Sequence, residues 1–381
     1  MKFLSSSFKQ AAVPIFIFLI LIGCAGCKVQ KIKQDSPTIS EEPSSAAILR
    51  GAMIGPKVSE ADLRELASWG ANHIRFQMNW DTFPQSPADN ATRTEYSDWL
   101  DSQLKRLDSL LPVCEKLGLQ VVVDMHTPVC GRYPDSLTDP LIFKLFRDKN
   151  CQQQFMEDWK IIAKKYANKK IIWGYDLLNE PHEGVVPSEL MNWRQLAENT
   201  VKEIRAIDPE AKIIYEPAID TLSKDIIQKK ELIPLSYGNI AYSIHLYSPI
   251  EFTHQGVNNY PHPVNYPAKI GNTYWDINQQ RKIYQPLIDF QKKYQVPIYI
   301  GEFSVIRWAP AKDAEQCLKD FITIIEENSW NAAYHAFREW NGWSVEFDSD
   351  YLNKNPVNYT TKRKQILLDW YAKNKIIAPN H

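Results

Sequence analysis

Residues 119–125 read Leu-Gln-Val-Val-Val-Asp-Met, and this run constrains the fold more than any other. Consecutive valines favour an extended chain, and a strand that is apolar without alternation has no face to give to water. It must be covered on both sides, the condition of a parallel sheet wrapped by helices. The same kind of run recurs. Strands are predicted at 48–54, 73–76, 119–125, 171–178, 212–215, 240–246, 297–300 and 332–337. Between them apolar residues return with helical spacing, at 60–69, 99–117, 155–166, 190–207, 278–294 and 314–327, and a last helix is predicted at 362–371. Gly70 and Gly118 stand where the first two helices should stop. Eight strands with helices in nearly every gap, over about 330 residues, predict an α/β fold, a single closed (β/α)8 barrel. The competing arrangement is an open doubly wound sheet, but no GxGxxG or Walker loop follows the first strand. Two loops are enlarged, after strands three and six, and the second is rich in Tyr, His and Pro. Loops of that length in a barrel are commonly functional.

The residues before this unit obey different rules. Residues 1–9 carry two lysines, and 11–22 form an apolar run of about twelve, short of the roughly 20 needed to span a bilayer. That is the pattern of a secretory signal. The ending Leu21-Ile22-Gly23-Cys24 resembles the lipobox of bacterial lipoproteins. The resemblance implies cleavage before Cys24, a lipid on that residue and residence in the cell envelope, periplasmic or at the surface. An ordinary cleaved signal is the alternative. The expected organisation is a signal peptide at 1–23, a polar tether at 24–46, the folded domain at 47–374 and a tail at 375–381. Export permits disulfides. Cys130 and Cys151 lie in and just after one loop and form the expected pair, whereas Cys114 and Cys317 fall in helical patterns and should be buried thiols.

Composition narrows the partner. With 44 Lys and Arg against 45 Asp and Glu, the net charge is −1, which argues against nucleic acid. Twelve Trp and 18 Tyr exceed what a core ordinarily needs and point to a ligand with flat apolar faces, such as a sugar.

A barrel of this kind builds its site at the C-terminal ends of its strands. Those ends carry Arg75, His126, Asn179-Glu180-Pro181, Glu216, His245-Leu246-Tyr247, Gly301-Glu302 and Glu339-Trp340. Apolar strands have no structural need for so many polar caps. Glu180 and Glu302 follow strands four and seven and can face each other across the mouth. Two facing carboxylates are what glycosidic cleavage needs: one protonates the leaving oxygen, and the other attacks the anomeric carbon or activates water.

Leu178-Asn179-Glu180-Pro181 together with Ile300-Gly301-Glu302-Phe303 resembles glycoside hydrolase family 5, the cellulase-like family with catalytic Glu on strands four and seven. The likeness covers about residues 47–374 and is strengthened by Arg75, His126, His245, Tyr247 and Trp340 in order. It implies a retaining hydrolase with Glu180 as acid/base and Glu302 as nucleophile. Asn179 would hold the sugar 2-hydroxyl, and Arg75 and Tyr247 would orient Glu302 and keep it ionised. His126 and His245 would contact substrate or Glu180, and Trp340 would floor the −1 subsite. On this reading Glu180 keeps its proton near neutral pH. Glu216 is a structural or outer-subsite residue, and Glu339 turns away from Trp340. Trp80, Trp275, Trp308 and Trp343 serve either as sugar platforms or as loop packing. No metal, cofactor or second copy is required.

β-Linked glucan is the expected substrate, with mannan and xyloglucan as alternatives. Two other classes compete. One is a metal-dependent hydrolase built on His126, Glu180, His245 and Glu302; the other is a non-catalytic sugar-binding barrel.

Overall fold

The computed structural model describes residues 47–80, 87–132, 141–219, 232–257 and 259–374. The expected signal peptide and tether with Cys24, and the tail at 375–381, lie outside the described residues. In chain order the elements are β1 (Arg50–Ile54), α1 (Glu60–Ser68), β2 (His73–Gln77), α2 (Arg93–Leu117), β3 (Gln120–Asp124), α3 (Lys149–Tyr166), β4 (Ile172–Asp176), α4 (Trp193–Arg205), β5 (Ile213–Tyr215) and β6 (Ile240–Leu246). Then come α5 (Ile250–Thr253), β7 (Ala268–Ile270), β8 (Thr273–Trp275), α6 (Ile277–Tyr294), β9 (Ile298–Phe303), α7 (Ala311–Glu327), β10 (Asn331–Phe337) and α8 (Lys362–Tyr371).

Eight strands close into a barrel in the order β1-β10-β9-β6-β5-β4-β3-β2, as the alternation of sequence patterns predicts. Hairpin β7-β8 and the short α5 lie in the enlarged loop after β6, which the sequence reading left without elements. Helices α2 and α3 begin six residues earlier than their apolar spacing suggests. Thr92 and Glu95 close a capping box at the first, and Asp148 caps the second through the Asn150 N–H. Gly118 ends α2 at φ 68°, a left-handed conformation that glycine adopts freely. Cys130 and Cys151 are joined, with Cα atoms 6.1 Å apart, tying the loop after β3 to the first turn of α3. Cys114 and Cys317 are buried free thiols.

The main core lies between strands and helices. A small separate cluster of Val122, Ile214, Ala241, Tyr299 and Ala333, with Trp173 against it, fills the barrel interior. Side chains two residues apart on a strand share a face. Moving two residues from this apolar layer toward the C-terminal ends therefore reaches Asp124, Glu216, Ser243 and His335, and a further step along β6 reaches His245. The polar layer stands directly on the apolar one, and it is the floor of the site.

Strand β9 departs from this period. Ile244 pairs with Ile300 but His245 pairs with Glu302, so β9 carries an extra residue, Gly301. The same slip appears against β10. This bulge turns Glu302 toward the mouth. A Cβ at Gly301 would lie 2.9 Å from His245 Nε2 and 3.1 Å from Ser243 Oγ, so the bulge also makes room for His245.

Candidate active site

A cleft of about 310 Å³ opens at the C-terminal ends of the strands, lined by His126, Asn179, Glu180, Tyr247, His254, Glu302, His335, Glu339, Trp340 and Trp343. Arg75 lies beneath it, fully buried at the centre of β2. Its Nη1 donates to Glu302 Oε1 at 2.9 Å, its Nε to Asp176 Oδ2 at 3.0 Å and its Nη2 to Asn179 Oδ1 at 3.0 Å. Asp124 Oδ1 is 3.2 Å from Nη2. One guanidinium thus serves three carboxylates and an amide. The bond from Arg75 uses the oxygen of Asn179 and leaves its amide N–H groups to the cleft.

Glu302 is held on its other oxygen as well. Tyr247 donates to Oε2 at 2.8 Å, and the same hydroxyl contacts His335 Nδ1. His335 Nδ1 is 3.4 Å from Oε2, and its Nε2 meets Glu339 Oε2 at 2.7 Å. Glu339 in turn accepts from Gln77 Nε2 at 3.1 Å. The Glu180 side chain is 35% exposed and points into the cleft, with Oε1 2.9 Å from His245 Nδ1. The backbone of Glu180 has φ 44°, uncommon for a residue with a side chain, and its N–H donates to Glu216 Oε2 at 3.1 Å. Oxygens of Glu180 and Glu302 and a ring nitrogen of His245 all lie within 4.8 Å of one another.

That trio has the donor types of a cation site. Yet both Glu302 oxygens already accept hydrogen bonds, and the Arg75 guanidinium supplies positive charge at 2.9 Å. His126, the fourth member of the metal-site alternative, instead turns Nδ1 to Asp124 Oδ2 at 2.9 Å. The family model described as Cellulase (glycosyl hydrolase family 5) matches residues 37–345.

The chain belongs to glycosyl hydrolase family 5.

It is accordingly a glycoside hydrolase. Endoglucanase C of Acetivibrio thermocellus is 27% identical over 326 residues, 79% of this chain and 88% of that protein. Cellodextrinase A of Ruminococcus flavefaciens is 23% identical over 288 residues, 74% of this chain and 79% of its own length. Among solved structures, Cel5A of Thermotoga maritima in complex with cellobiose has a TM-score of 0.61 at 24% identity, covering 85% of this chain and 97% of that one; it shares the fold.

In a glycoside hydrolase of this family the distribution of protons decides which carboxylate does what. Burial raises the Glu302 carboxyl, but His245, His335 and Arg75 outweigh it and hold the group well below the ordinary range. Burial also raises Glu180, and the hydrogen bond and charge of His245 bring it down to about 2. Burial lowers His245, against which Glu216, Glu302 and Glu180 raise it to about 10. Glu216, buried below the pair, is pushed up to about 8, chiefly by burial. Glu180 and His245 therefore titrate together, joined by the 2.9 Å contact between Glu180 Oε1 and His245 Nδ1.

A pH prediction follows from that coupling. The pair holds its proton until His245 titrates near 10, and general-acid function is lost as pH rises through that value. In His245→Gln only Glu180 can hold the proton. The alkaline limb of kcat/KM is therefore expected to move to lower pH, measured from pH 5 to 11. A limb that stays in place would remove His245 from the proton path.

The sequence reading missed His335, Asp124 and Asp176; His254 lies in the enlarged loop after strand six and lines the cleft. His335 lies inside a predicted strand, and its signal was the period: it shares a face with Ala333, two residues earlier. Asp124 and Asp176 each end an apolar run, an odd place for a charge unless a partner waits there. Glu216 proves structural: it is 3% exposed, does not line the cleft and faces His245 at 3.5 Å. Glu339, expected to turn away, lines the cleft with Trp340. Of the four loop tryptophans only Trp343 lines it. Trp80 stacks on Trp99 at 5.3 Å, Trp275 packs on the core, and Trp308 is buried between loops.

Proposed function

We propose that this protein hydrolyses β-linked glucan with retention of anomeric configuration, through a covalent intermediate on Glu302. The observation that carries the proposal is the spacing of the two carboxylates, whose nearest oxygens lie within 4.8 Å. Retaining pairs sit about 5–5.5 Å apart, whereas inverting pairs need about 6.5–9.5 Å to admit a water molecule.

Glu302, held anionic by His245, His335 and Arg75 and aimed by Tyr247, attacks the anomeric carbon. The glycosidic bond breaks, and its oxygen takes a proton from Glu180, which draws it from His245. The sugar is then an ester of Glu302. Glu180, now a carboxylate, accepts a proton from water; the water oxygen bonds to the anomeric carbon and Glu302 leaves. Asn179 offers its amide N–H to the 2-hydroxyl, His126 presents its free ring nitrogen to the cleft, and Trp340 stacks beneath the ring. The substrate class is supported by the endoglucanase and cellodextrinase relatives. The sequence around Cys24 supports export and a lipid anchor in the cell envelope, so the enzyme would act as a membrane-tethered monomer.

Sugar release from a panel of β-glucans, xyloglucan and β-mannan tests the reading, with the newly formed end followed by proton NMR. Turnover on a glucan with the β-anomer appearing first is expected. The activity should partition into detergent and be released into the aqueous phase in Cys24→Ser. An α-anomer first would overturn retention, and turnover on mannan alone would overturn the substrate.

A further inference from the structure

An aromatic path leaves the cleft on the side of Trp340. Trp340 is 44% exposed and stands edge-on to Trp308, with ring centroids 5.6 Å apart. Trp308 is buried and stands edge-on to Tyr351 at 4.9 Å. Tyr351 is 58% exposed, and Leu352 beside it is 76% exposed. Two open rings thus flank one buried ring, about a disaccharide unit apart at most.

The loop that displays Tyr351 is held with unusual rigour. Arg307, 1% exposed, donates from Nη1 to the carbonyls of Asp348 (2.9 Å) and Asp350 (2.5 Å), and from Nη2 to those of Tyr351 (3.3 Å) and Asn353 (2.8 Å). Its backbone N–H donates to the Gly342 carbonyl at 2.8 Å. Gly342 packs under the Trp340 ring, where a Cβ would come within 2.4 Å of it. Trp308 is pinned by its own indole N–H to the Gln255 carbonyl at 2.8 Å. One residue thereby fixes Trp340 and Tyr351 relative to each other. Burying a guanidinium is costly unless its donors are used, and here four carbonyls accept from it. An exposed apolar pair on a rigid loop gains nothing for the isolated fold. For a ligand it removes the ordering cost of binding.

We propose that Tyr351 is the platform of an outer sugar subsite, binding a β-glucan chain that continues from the unit on Trp340. The occupant is argued from continuity: a chain of ring contacts begins at Trp340 in the cleft, passes through buried Trp308 and ends at the exposed Tyr351. A pyranose presents a flat face of C–H groups, suited to stacking on a ring with a hydroxyl at its edge. Lys354 Nζ lies over the Tyr351 ring, 4.9 Å from its centre, and adds a donor for sugar hydroxyls beside the platform. The proposal rests on the β-glucan reading above.

The test uses glucan oligosaccharides of two to six units, comparing wild type, Tyr351→Ala and Tyr351→Phe by kcat/KM. Binding of soluble β-glucan is followed in parallel by affinity electrophoresis. In Tyr351→Ala kcat/KM is expected to fall about tenfold on the longest oligosaccharides and not on the shortest, with Tyr351→Phe retaining most of the wild-type value. Equal loss at every length would make Tyr351 merely structural, and no loss at any length would remove it from binding; either overturns the proposal. If wild type turns over no glucan yet binds it, and Tyr351→Ala weakens that binding, the platform stands and the hydrolytic reading falls. If wild type neither binds nor cleaves glucan, both fall.

Discussion

Glu302→Ala is expected to lower kcat on β-glucan by roughly 10⁴-fold or more, because the covalent path has no other nucleophile. Arg75 keeps two carboxylates in this variant, Asp124 and Asp176, so the barrel floor stays paired and the protein should fold. Added azide distinguishes the two glutamates. In Glu302→Ala the anion enters from the side the carboxylate has vacated, and the product is the α-glycosyl azide. In Glu180→Ala the glycosyl-Glu302 ester still forms from a substrate with a good leaving group. Azide then attacks that ester from the opposite face, and the product is the β-glycosyl azide. The assignment predicts this pair of products, read by NMR. Exchanged products would reverse the roles of Glu180 and Glu302. A Glu302→Ala rate within tenfold of wild type would remove Glu302 from the chemistry.

The barrel was legible because its signals are redundant. Runs such as Val121-Val122-Val123 admit one kind of burial, and polar residues at one end of many strands have no structural explanation. Legibility stopped where a position depends on what faces it from another strand. Glu302 reaches the mouth only because β9 gains Gly301, and no property of Ile300-Gly301-Glu302 announces a bulge. The resemblance to a known family located Glu302, not its physics. His245 could be placed near Glu180 from sequence, but where their proton rests depends on Glu216 and Glu302 in three dimensions. Tyr351 belongs to the same class. In sequence it is one tyrosine among 18, and its standing comes from Arg307 and Trp308, more than forty residues away in the chain.

The largest effect on stability is expected at Arg75. Arg75→Leu removes the cation shared by Asp124, Asp176 and Glu302, all of them nearly or fully buried, and leaves carboxylates without compensation. Breaking a buried pair in this way costs about 3–5 kcal/mol. The sign of its pH dependence follows from linkage. In the wild type Glu302 lies below its unfolded value, so its contribution is present above that value and lost as pH falls. Asp176 is already pushed up to about 6, chiefly by burial and against the pull of Arg75. Without Arg75 burial raises Asp176 further above its unfolded value, and a group so raised favours folding at low pH and opposes it as pH rises. The deficit of Arg75→Leu should therefore widen between pH 5 and pH 8, measured by urea unfolding at both. Arg75→Lys should recover part of the stability but little of the activity. A single ammonium cannot bond Asp176, Glu302 and Asn179 at once in the geometry of the guanidinium fork. A deficit independent of pH would mean that Arg75 acts through its packing alone. Glu302 would then owe its depressed pKa to the histidines, His245 and His335, rather than to the residue beneath it.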